Sequence, residues 1–383
     1  MKITRLATLI ATSLPLLAAA AATPQYLIQD LGVVSPGYRY SQSFGMSSNG
    51  AYVTGRNLTA DGVAGAWPAF VWSAGTGMVA QGSLNGLSYA WDRDVNNSGV
   101  SVGWLSASTT GAGAVPVVWN ASGTATKLNT AGASVGHAYG IDNGGIAVGS
   151  VGSGVSEQGA IFNTNTGKTS LISALTAEGS YMQTATAISD NGLVVGVGVN
   201  SGEQSVALLY NMNSNSMLEL QVPAVGNIQV SLAFGISPNG QYIVGSDGAA
   251  GLPFIWSAST GALLAALPDV SGVGSLSGVN DAGLAVGDSG GQYSNPFLYA
   301  DGKTYLMSDI IANGSGWNFS TTTSASAEAI AANGAITGTA QFNGVEHAYL
   351  ATPIGAVPEP GSYALMLAGL ATFGVLSRRR RAG

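Results

Sequence analysis

A short glycine-bounded motif recurs seven times along the chain, and it constrains the fold more than any other feature. Each copy has an Asn- or Asp-rich turn, a Gly, a few mostly apolar residues and a second Gly. The turn glycines are 49, 46, 47, 48, 43 and 51 residues apart, a period typical of repeat proteins and propellers. The copies are Ser48-Asn49-Gly50 to Gly55, Asn97-Ser98-Gly99 to Gly103, Asn143-Gly144-Gly145 to Gly149, Asp190-Asn191-Gly192 to Gly196, Pro238-Asn239-Gly240 to Gly245, Asp281-Ala282-Gly283 to Gly287 and Ala332-Asn333-Gly334 to Gly338.

Each unit of about 47 residues has the same internal order. A short apolar segment precedes the turn, and a second strand such as 241–244 follows it. The Asn-Gly type of turn predicts a tight hairpin in which both central residues have positive φ. A third strand ends in an aromatic residue, as at Trp256, and a polar turn leads to a fourth strand. Four strands in this length predict one propeller blade.

The phase of the repeat predicts how the ring closes. Residues 26–31 resemble a fourth strand with no blade before them, and the repeats end after a third strand at 349–352. The first strand can therefore complete the last blade and remove two exposed sheet edges. The predicted fold is all-β: a seven-bladed β-propeller of four-stranded blades over residues 23–356, closed by the N-terminal strand, plus a C-terminal transmembrane helix. A linear β-solenoid is the alternative.

The N-terminal residues 1–22 form a predicted secretory signal peptide. Lys2 and Arg5 precede an apolar run, and five alanines at 18–22 offer a cleavage site. Export through the Sec translocon and removal by signal peptidase follow from this prediction. An uncleaved N-terminal membrane anchor is the alternative.

The C-terminal residues 357–383 carry a second targeting signal. Residues 361–377 form an uncharged segment near the lower length limit for a membrane span, and a basic cluster after them should stay cytoplasmic. The residues proposed to form the sorting signal are Val357, Pro358, Glu359, Pro360, Arg378, Arg379, Arg380 and Arg381.

This order of Pro-Glu-Pro, apolar span and terminal arginines resembles the PEP-CTERM sorting signal of Gram-negative bacteria. The resemblance implies processing by an exosortase after a transient stay in the inner membrane. It also implies release to the cell surface or the exopolysaccharide matrix. A permanent single-span anchor is the alternative, and it too leaves the body outside the cytoplasm.

The repeat also resembles the extracellular HAF-repeat family. His347-Ala348-Tyr349 matches the family's strand motif best, and 140–143 and 278–281 match its turn segment. Most copies lack the His. The resemblance implies a surface or secreted repeat protein and brings no catalytic residues.

Composition excludes several functions. The chain has no cysteine, which rules out disulfides, thiolate metal sites and a Cys nucleophile. The body between the two targeting signals has 6 basic and 18 acidic residues, a formal charge of −12, which repels nucleic acid. The two histidines, His137 and His347, fall on repeat positions and are interpreted as structural. We therefore predict no metal site and no cofactor.

Few side chains stand out as candidates for a site. Asp92 and Asp94 are a weak calcium pair and are interpreted as a solvated strand end. The acids at turns are expected to bond nearby backbone; they are Asp142, Asp190 and Asp281. Three Trp at one repeat phase are expected to pack between blades; they are Trp72, Trp119 and Trp256. Four Trp off that phase are the better candidates for exposed contacts; they are Trp67, Trp91, Trp104 and Trp317.

No catalytic constellation emerges, so the predicted function is that of a non-enzymatic secreted or cell-surface protein of the exopolysaccharide or biofilm matrix. Binding of exopolysaccharide glycans is an accompanying hypothesis, without identified ligand residues. The alternative is an extracellular carbohydrate-active enzyme, a hydrolase or lyase, with its site in the propeller channel. That alternative rests on fold analogy and on spare acids such as Asp92, Asp94 and Glu328. A scaffold for a protein partner is a third possibility.

Overall fold

The computed structural model describes residues 23–59, 65–223, 230–248, 251–267, 273–290, 294–320 and 325–355. The predicted signal peptide, the Pro358-Glu359-Pro360 motif, the span 361–377 and the arginine cluster all lie outside these ranges. Within them, no helix has the length and apolarity needed to cross a membrane.

The described chain is almost entirely β-strand, in groups of four that follow the sequence repeat. It begins with β1 (Tyr26–Asp30). The first three groups are β2 (Tyr40–Met46), β3 (Tyr52–Leu58), β4 (Ala69–Ser73) and β5 (Gly77–Ala80); β6 (Tyr89–Val95), β7 (Ser101–Ser106), β8 (Val115–Trp119) and β9 (Ala125–Lys127); and β10 (Gly136–Ile141), β11 (Ile146–Val151), β12 (Gln158–Asn163) and β13 (Lys168–Leu171). The next three are β14 (Tyr181–Ile188), β15 (Leu193–Val199), β16 (Ser205–Asn211) and β17 (Ser216–Glu219); β18 (Ser231–Ile236), β19 (Tyr242–Asp247), β20 (Pro253–Ser257) and β21 (Leu263–Ala266); and β22 (Val273–Val279), β23 (Ala285–Gly290), β24 (Asn295–Ala300) and β25 (Lys303–Leu306). After α1 (Met307–Ile310) come β26 (Trp317–Asn318), β27 (Ser326–Ile330), β28 (Ile336–Phe342) and β29 (Val345–Pro353).

Each group forms one antiparallel sheet in sequence order, so the described residues make a seven-bladed β-propeller. Blades 1 to 6 have four strands. Blade 7 is built from β27, β28, β29 and β1, and the short β26 also pairs with β28. The predicted all-β propeller of four-stranded blades is confirmed.

The N-terminal strand pairs with the end of the repeat region, as the phase of the repeat predicts. β1 runs antiparallel to β29, with Tyr26 opposite Pro353 and Asp30 opposite Tyr349. His347 Nδ1 lies 2.9 Å from Asp30 Oδ1 across this pairing, so this histidine has the expected structural position. Blade 1 then packs against blade 7, and Ser43 Oγ donates to the Gly338 carbonyl at 2.6 Å.

The cores lie between neighbouring blades. Strand side chains alternate between the two faces of a sheet, and each face packs on the next blade. Trp72, Trp119 and Trp256 are buried at these surfaces, in clusters that join residues of two blades. The indole N–H groups of Trp119 and Trp256 donate to the carbonyls of Gly82 and Gln221. Their predicted role in packing between blades is confirmed.

The turns between the first and second strands differ from the predicted type. Among the described residues, the turn glycines have positive φ, as at Gly50 (73°), but the turn asparagines do not. The Gly50 N–H donates to the Ser47 carbonyl at 2.8 Å, which closes a four-residue β-turn. The prediction of positive φ at both central residues was therefore wrong, because a longer loop needs only the glycine in that region.

The second glycine of the motif has a separate steric role. A Cβ built on it would overlap the carbonyl oxygen of the first strand in the same blade. At Gly245, for example, that oxygen belongs to Leu232. Only glycine permits this close approach. The seven glycines are Gly55, Gly103, Gly149, Gly196, Gly245, Gly287 and Gly338.

Turn residues also link each blade to the next. The Asn143 N–H donates to Asp190 Oδ1 at 2.9 Å, and the Asn239 N–H donates to Asp281 Oδ1 at 2.8 Å. Asp142 Oδ1 instead accepts from the Ile146 N–H of its own blade. The turn acids thus bond backbone groups as predicted, but two of the three do so across a blade boundary. At every boundary between neighbouring blades, a hydrogen bond joins the two turns, with a carboxylate, an asparagine side-chain oxygen or a backbone carbonyl as acceptor.

Candidate functional site: the central channel

The first strands of the seven blades surround a central cavity of about 650 Å³. Each of these strands contains a β-bulge at the same step of its pairing with the second strand. The extra residue at this step lines the cavity in every blade, whereas Gln183, at a second irregularity of β14, does not. In blade order these residues are Phe44, Arg93, Tyr139, Thr186, Phe234, Ser277 and Glu328. We call these seven side chains the bulge ring.

The bulge changes the direction of one side chain in each strand. A bulged residue has no partner on the neighbouring strand, and the chain turns locally to accommodate it. The residue just before each bulge is fully buried between blades, whereas the bulge residue keeps partial exposure in the channel. Ala233 and Phe234 in blade 5 illustrate this contrast.

Blades 7, 1 and 2 give the ring a charged arc. The Arg93 guanidinium lies 4.9 Å from the centre of the Phe44 ring, close enough for a cation–π interaction. Beside it, Asp94 accepts hydrogen bonds from the N–H groups of Val95 and Ile141, both at 2.9 Å. Burial nevertheless raises the pKa of Asp94 to about 7, against the opposing effect of these N–H groups and of Arg93.

Asp288 and Glu328 place two more carboxyl groups in the same cavity. Asp288 Oδ1 accepts from the Ala327 N–H at 3.0 Å. Burial, and then the charge of Glu328, raise the pKa of Asp288 well above its ordinary value. Burial also raises the pKa of Glu328, although Arg93 and the Ser326 hydroxyl oppose this. The two carboxyl groups therefore do not easily carry a negative charge at the same time. The pair retains a proton more readily than exposed acids do.

The bulge residues of the opposite arc, from blades 4 to 6, are neutral. It presents the hydroxyls of Thr186 and Ser277 on either side of the Phe234 ring. Thr186 Oγ1 donates to the Ala233 carbonyl at 2.9 Å. The bulge residues on this side thus offer polar groups and one aromatic face without formal charge, while Asp190 of blade 4 and Asp288 of blade 6 also line the cavity here.

An aromatic cluster lies beside the charged arc. The Arg56 guanidinium is 4.8 Å from the ring centre of Trp67, 5.2 Å from that of Trp91 and 5.3 Å from that of Phe44. Burial lowers the pKa of Arg56 to about 10. Trp91 in turn stacks on Trp104 at 5.7 Å, so the Phe44 side of the ring is held by packed aromatic residues.

This cluster corrects the expectation for the four Trp off the repeat phase. Trp67 is only 8% exposed, and Trp91 and Trp104 are partly buried in the cluster. Trp317 packs against Phe342 at 4.8 Å, also partly buried. None of the four is an exposed contact, because arginine and other aromatic rings fill the space around them.

The interpretation of Asp92 and Asp94 as a solvated strand end was also wrong. Asp92 is fully buried in the middle of β6. It accepts hydrogen bonds from Gln81 Nε2 and, at 2.8 Å, from Ser101 Oγ. Because Arg93 is an extra residue between the two acids, Asp92 faces the blade interior while Asp94 faces the channel. Of the acids proposed for a channel enzyme, Asp94 and Glu328 line the cavity and Asp92 does not.

Several channel residues were not predicted from the sequence. Phe44, Arg93 and Phe234 precede the repeat motif, and strict alternation assigns each of them to a blade face. Only the bulge brings them into the channel. The one available signal was the second glycine of each copy, which faces the bulge. Asp288 directly follows that glycine in blade 6.

The described residues contain no group of three or more His, Asp or Glu side chains placed to hold a metal ion. His137 packs edge-on against Trp104 at 4.9 Å, and burial lowers its pKa. His347 contacts Asp30 where β29 pairs with β1. The residues that line the channel offer hydrogen bonding, aromatic stacking and charge.

Comparison with known families identifies the C-terminal sorting signal. Residues 356–381 match the model of the PEP-CTERM protein-sorting motif. This agrees with the prediction from residues 357–383, and it implies sorting by an exosortase to the surface or surroundings of a Gram-negative cell. No curated protein matches the chain.

Solved structures share only the fold. Oligogalacturonate lyase in complex with manganese is similar with a TM-score of 0.50 and 12% identity, over 88% of this chain and 97% of the lyase. A chain of a mitotic checkpoint complex gives a TM-score of 0.49 and 13% identity, over 91% and 98%. TolB from Acinetobacter baumannii gives 0.41 and 15%, over 62% of this chain and 61% of TolB, less than two thirds of its length. The likeness to the lyase, at 12% identity, supports a shared fold and no particular activity.

Proposed function

We propose that this chain is an extracellular, exosortase-sorted binding protein whose central channel holds a saccharide of the surrounding matrix. The sorting motif supports the location. The observation that carries the binding role is the cavity of about 650 Å³, lined by aromatic rings, hydroxyls and charged groups. Such a mixture suits sugars, which have apolar ring faces edged by hydroxyls. The resemblance of the repeat to HAF proteins and a role in the biofilm matrix belong to the same proposal.

Charge in the channel favours neutral or amine-bearing sugars over uronates. Four acids, Asp94, Asp190, Asp288 and Glu328, line the cavity together with one cation, Arg93. The acidic body around the ring adds to this negative field. An ammonium group entering between Asp288 and Glu328 would relieve their mutual repulsion and release the proton that they retain.

Calorimetric titration of the secreted protein with three sets of oligosaccharides tests this role. The probes are neutral β-glucan, glucosamine and galacturonate oligomers of equal length. We expect the glucosamine oligomer to bind most tightly and the galacturonate oligomer most weakly. Glu328→Gln should reduce the preference for the amine, and Glu203→Gln is the control because Glu203 is an exposed residue outside the channel. Absence of binding by all three probes would overturn the saccharide role.

Location has its own test. In a host that carries an exosortase, we expect the mature protein in the extracellular fraction without residues 361–377. Deletion of the exosortase, or of residues 356–381 alone, should abolish this release. Intact protein retained in the inner membrane of the unmodified host would contradict sorting and favour a permanent anchor.

A carbohydrate-active enzyme is a second candidate because of the Asp288–Glu328 pair. A carboxyl group that retains its proton beside a second carboxyl group is an arrangement suited to general acid catalysis. We expect any cleavage of the same oligosaccharides to be lost in Glu328→Gln and in Asp288→Asn. Binding without products in prolonged incubations would leave the binding protein as the better description.

A further inference from the structure

The bulge ring separates the residue that contacts a ligand from the residues that build the fold. In all seven blades, the residue before the bulge is fully buried and the bulge residue faces the channel. The glycine opposite the bulge is the same residue type in every blade, because any side chain there would overlap the backbone. The bulge residue itself is of six different types around the ring.

We infer that the contact surface of the channel is set by one residue per blade, the extra residue of each first-strand bulge, and that Glu328 of this ring contributes to the charge preference together with Asp94, Asp190 and Asp288. This inference rests on the proposed function only in taking the channel as the binding site. A side chain that lacks a strand partner and points into an open cavity can change in size and charge without disturbing the packing between blades. The bulge ring is therefore a set of specificity-determining positions, of which Phe44 and Tyr139 are also packed against neighbouring side chains and Phe234 and Ser277 are the least constrained.

The order of residues around the ring gives this specificity a direction. Glu328, Phe44 and Arg93 come from the consecutive blades 7, 1 and 2, with the guanidinium stacked on Phe44. Thr186, Phe234 and Ser277 come from blades 4 to 6 and carry no charge. A saccharide in the channel would then lie with its neutral face toward Phe234 and its charged substituent toward Glu328.

The absence of cysteine from the chain allows a test that needs no known ligand. Thr186→Cys places a thiol at a bulge position, and Ala185→Cys places one at the buried position just before it. We expect a small methanethiosulfonate reagent to modify the folded Thr186→Cys protein at least about 100-fold faster, because the Ala185→Cys thiol reacts only after local opening. Both proteins should melt within a few degrees of the parent chain.

The test of the charge preference uses Ser277→Cys, a near-isosteric change in the blade next to that of Glu328. We expect a cationic trimethylammonium reagent to react about tenfold faster than an anionic sulfonate reagent of similar size. Adding Glu328→Gln should lower this ratio severalfold, whereas adding Glu203→Gln at the exposed control position should leave it unchanged.

Each outcome decides the inference. Equal reactivity of the Thr186→Cys and Ala185→Cys thiols, or loss of folding in both Thr186→Cys and Ser277→Cys, would overturn it. A reagent ratio unaffected by Glu328→Gln would overturn the assignment of charge preference to the ring. If the thiols behave as expected while no saccharide binds, the inference stands and the proposed function fails.

Discussion

The surface between blades and the wall of the channel obey different rules, although the same strands form both. Between blades, one position per repeat holds a large aromatic residue in most copies, as at Trp72, Trp119 and Trp256, and these side chains are buried. Around the channel, the bulge position holds six different residue types across the seven blades. Close packing restricts the first set to similar shapes, whereas an open cavity places no such restriction on the second.

A strong test of this contrast is to disturb the glycine that permits the bulge. In Gly245→Ala, the new Cβ overlaps the Leu232 carbonyl oxygen, and relief requires the bulged strand to move. We expect the free energy of unfolding to fall by at least about 3 kcal/mol, as in severe overpacking. Denaturant unfolding followed by tryptophan fluorescence measures this. Gly75→Ala is the matched control, because a Cβ there meets nothing within 4 Å.

If Gly245→Ala and Gly75→Ala unfold at the same denaturant concentration, the close approach is not what the repeated glycine provides. The bulges would then need another explanation. The separation of the frame, by which we mean the packed surfaces between blades, from the bulge ring would lose its structural basis.

Two aromatic residues of blade 5 compare the frame and the ring directly. Trp256 is fully buried between blades and donates to the Gln221 carbonyl at 2.6 Å, whereas Phe234 is partly exposed in the channel. Trp256→Ala should lower the free energy of unfolding by about 3 to 5 kcal/mol, and Phe234→Ala by about 1 kcal/mol. Saccharide affinity should show the reverse order. Equal destabilisation by the two changes would mean that Phe234 is part of the core.

The acids of the channel make stability depend on pH, and Asp94 sets a measurable part of this. Its pKa in the folded protein is about 7, above the ordinary value of 3.8, so the folded state binds its proton more tightly than the unfolded chain does. Stability should therefore increase as pH falls through about 7 and level off near 4. Asp288 and Glu328 contribute with the same sign.

Comparison of the parent chain with Asp94→Asn isolates the contribution of Asp94 to the pH dependence of stability. Each pKa unit corresponds to about 1.4 kcal/mol, and water in the channel reduces the effect. We expect the stability gain between pH 8.5 and 5.5 to be smaller in Asp94→Asn by about 1 kcal/mol, and by no more than about 2 kcal/mol, measured by thermal melting at a series of pH values. An identical pH dependence in both proteins would show that Asp94 ionises freely in the channel.

The sequence predicted the frame much better than the ring. Repeat spacing, turn glycines and aromatic strand ends are local signals, and they led to the blades, to the packing of Trp256 and to the pairing of β1 with β29. The ring depends on a one-residue irregularity in each first strand. Strict alternation assigns Arg93 to a blade face, and only the structure shows that the bulge turns it into the channel. Asp92 and Trp67 were misjudged because burial here depends on neighbouring blades, which lie about 47 residues away in the chain.

The smallest expected effect concerns the hydrogen bonds that join the turns, and it decides whether they belong to the frame. Asp190 accepts from both the N–H and the side-chain Nδ2 of Asn143, each at 2.9 Å, across the boundary between blades 3 and 4. Because Asp190 is exposed, Asp190→Ala should lower the free energy of unfolding by only about 1 kcal/mol. Asp190→Asn keeps one acceptor and should lose less than half of that. The reactivity of the Thr186→Cys thiol toward an uncharged reagent should stay the same in both backgrounds, since Asp190 lines the cavity but lies outside the bulge ring. A large rise in that reactivity with no loss of stability would instead show that the turns control access to the channel.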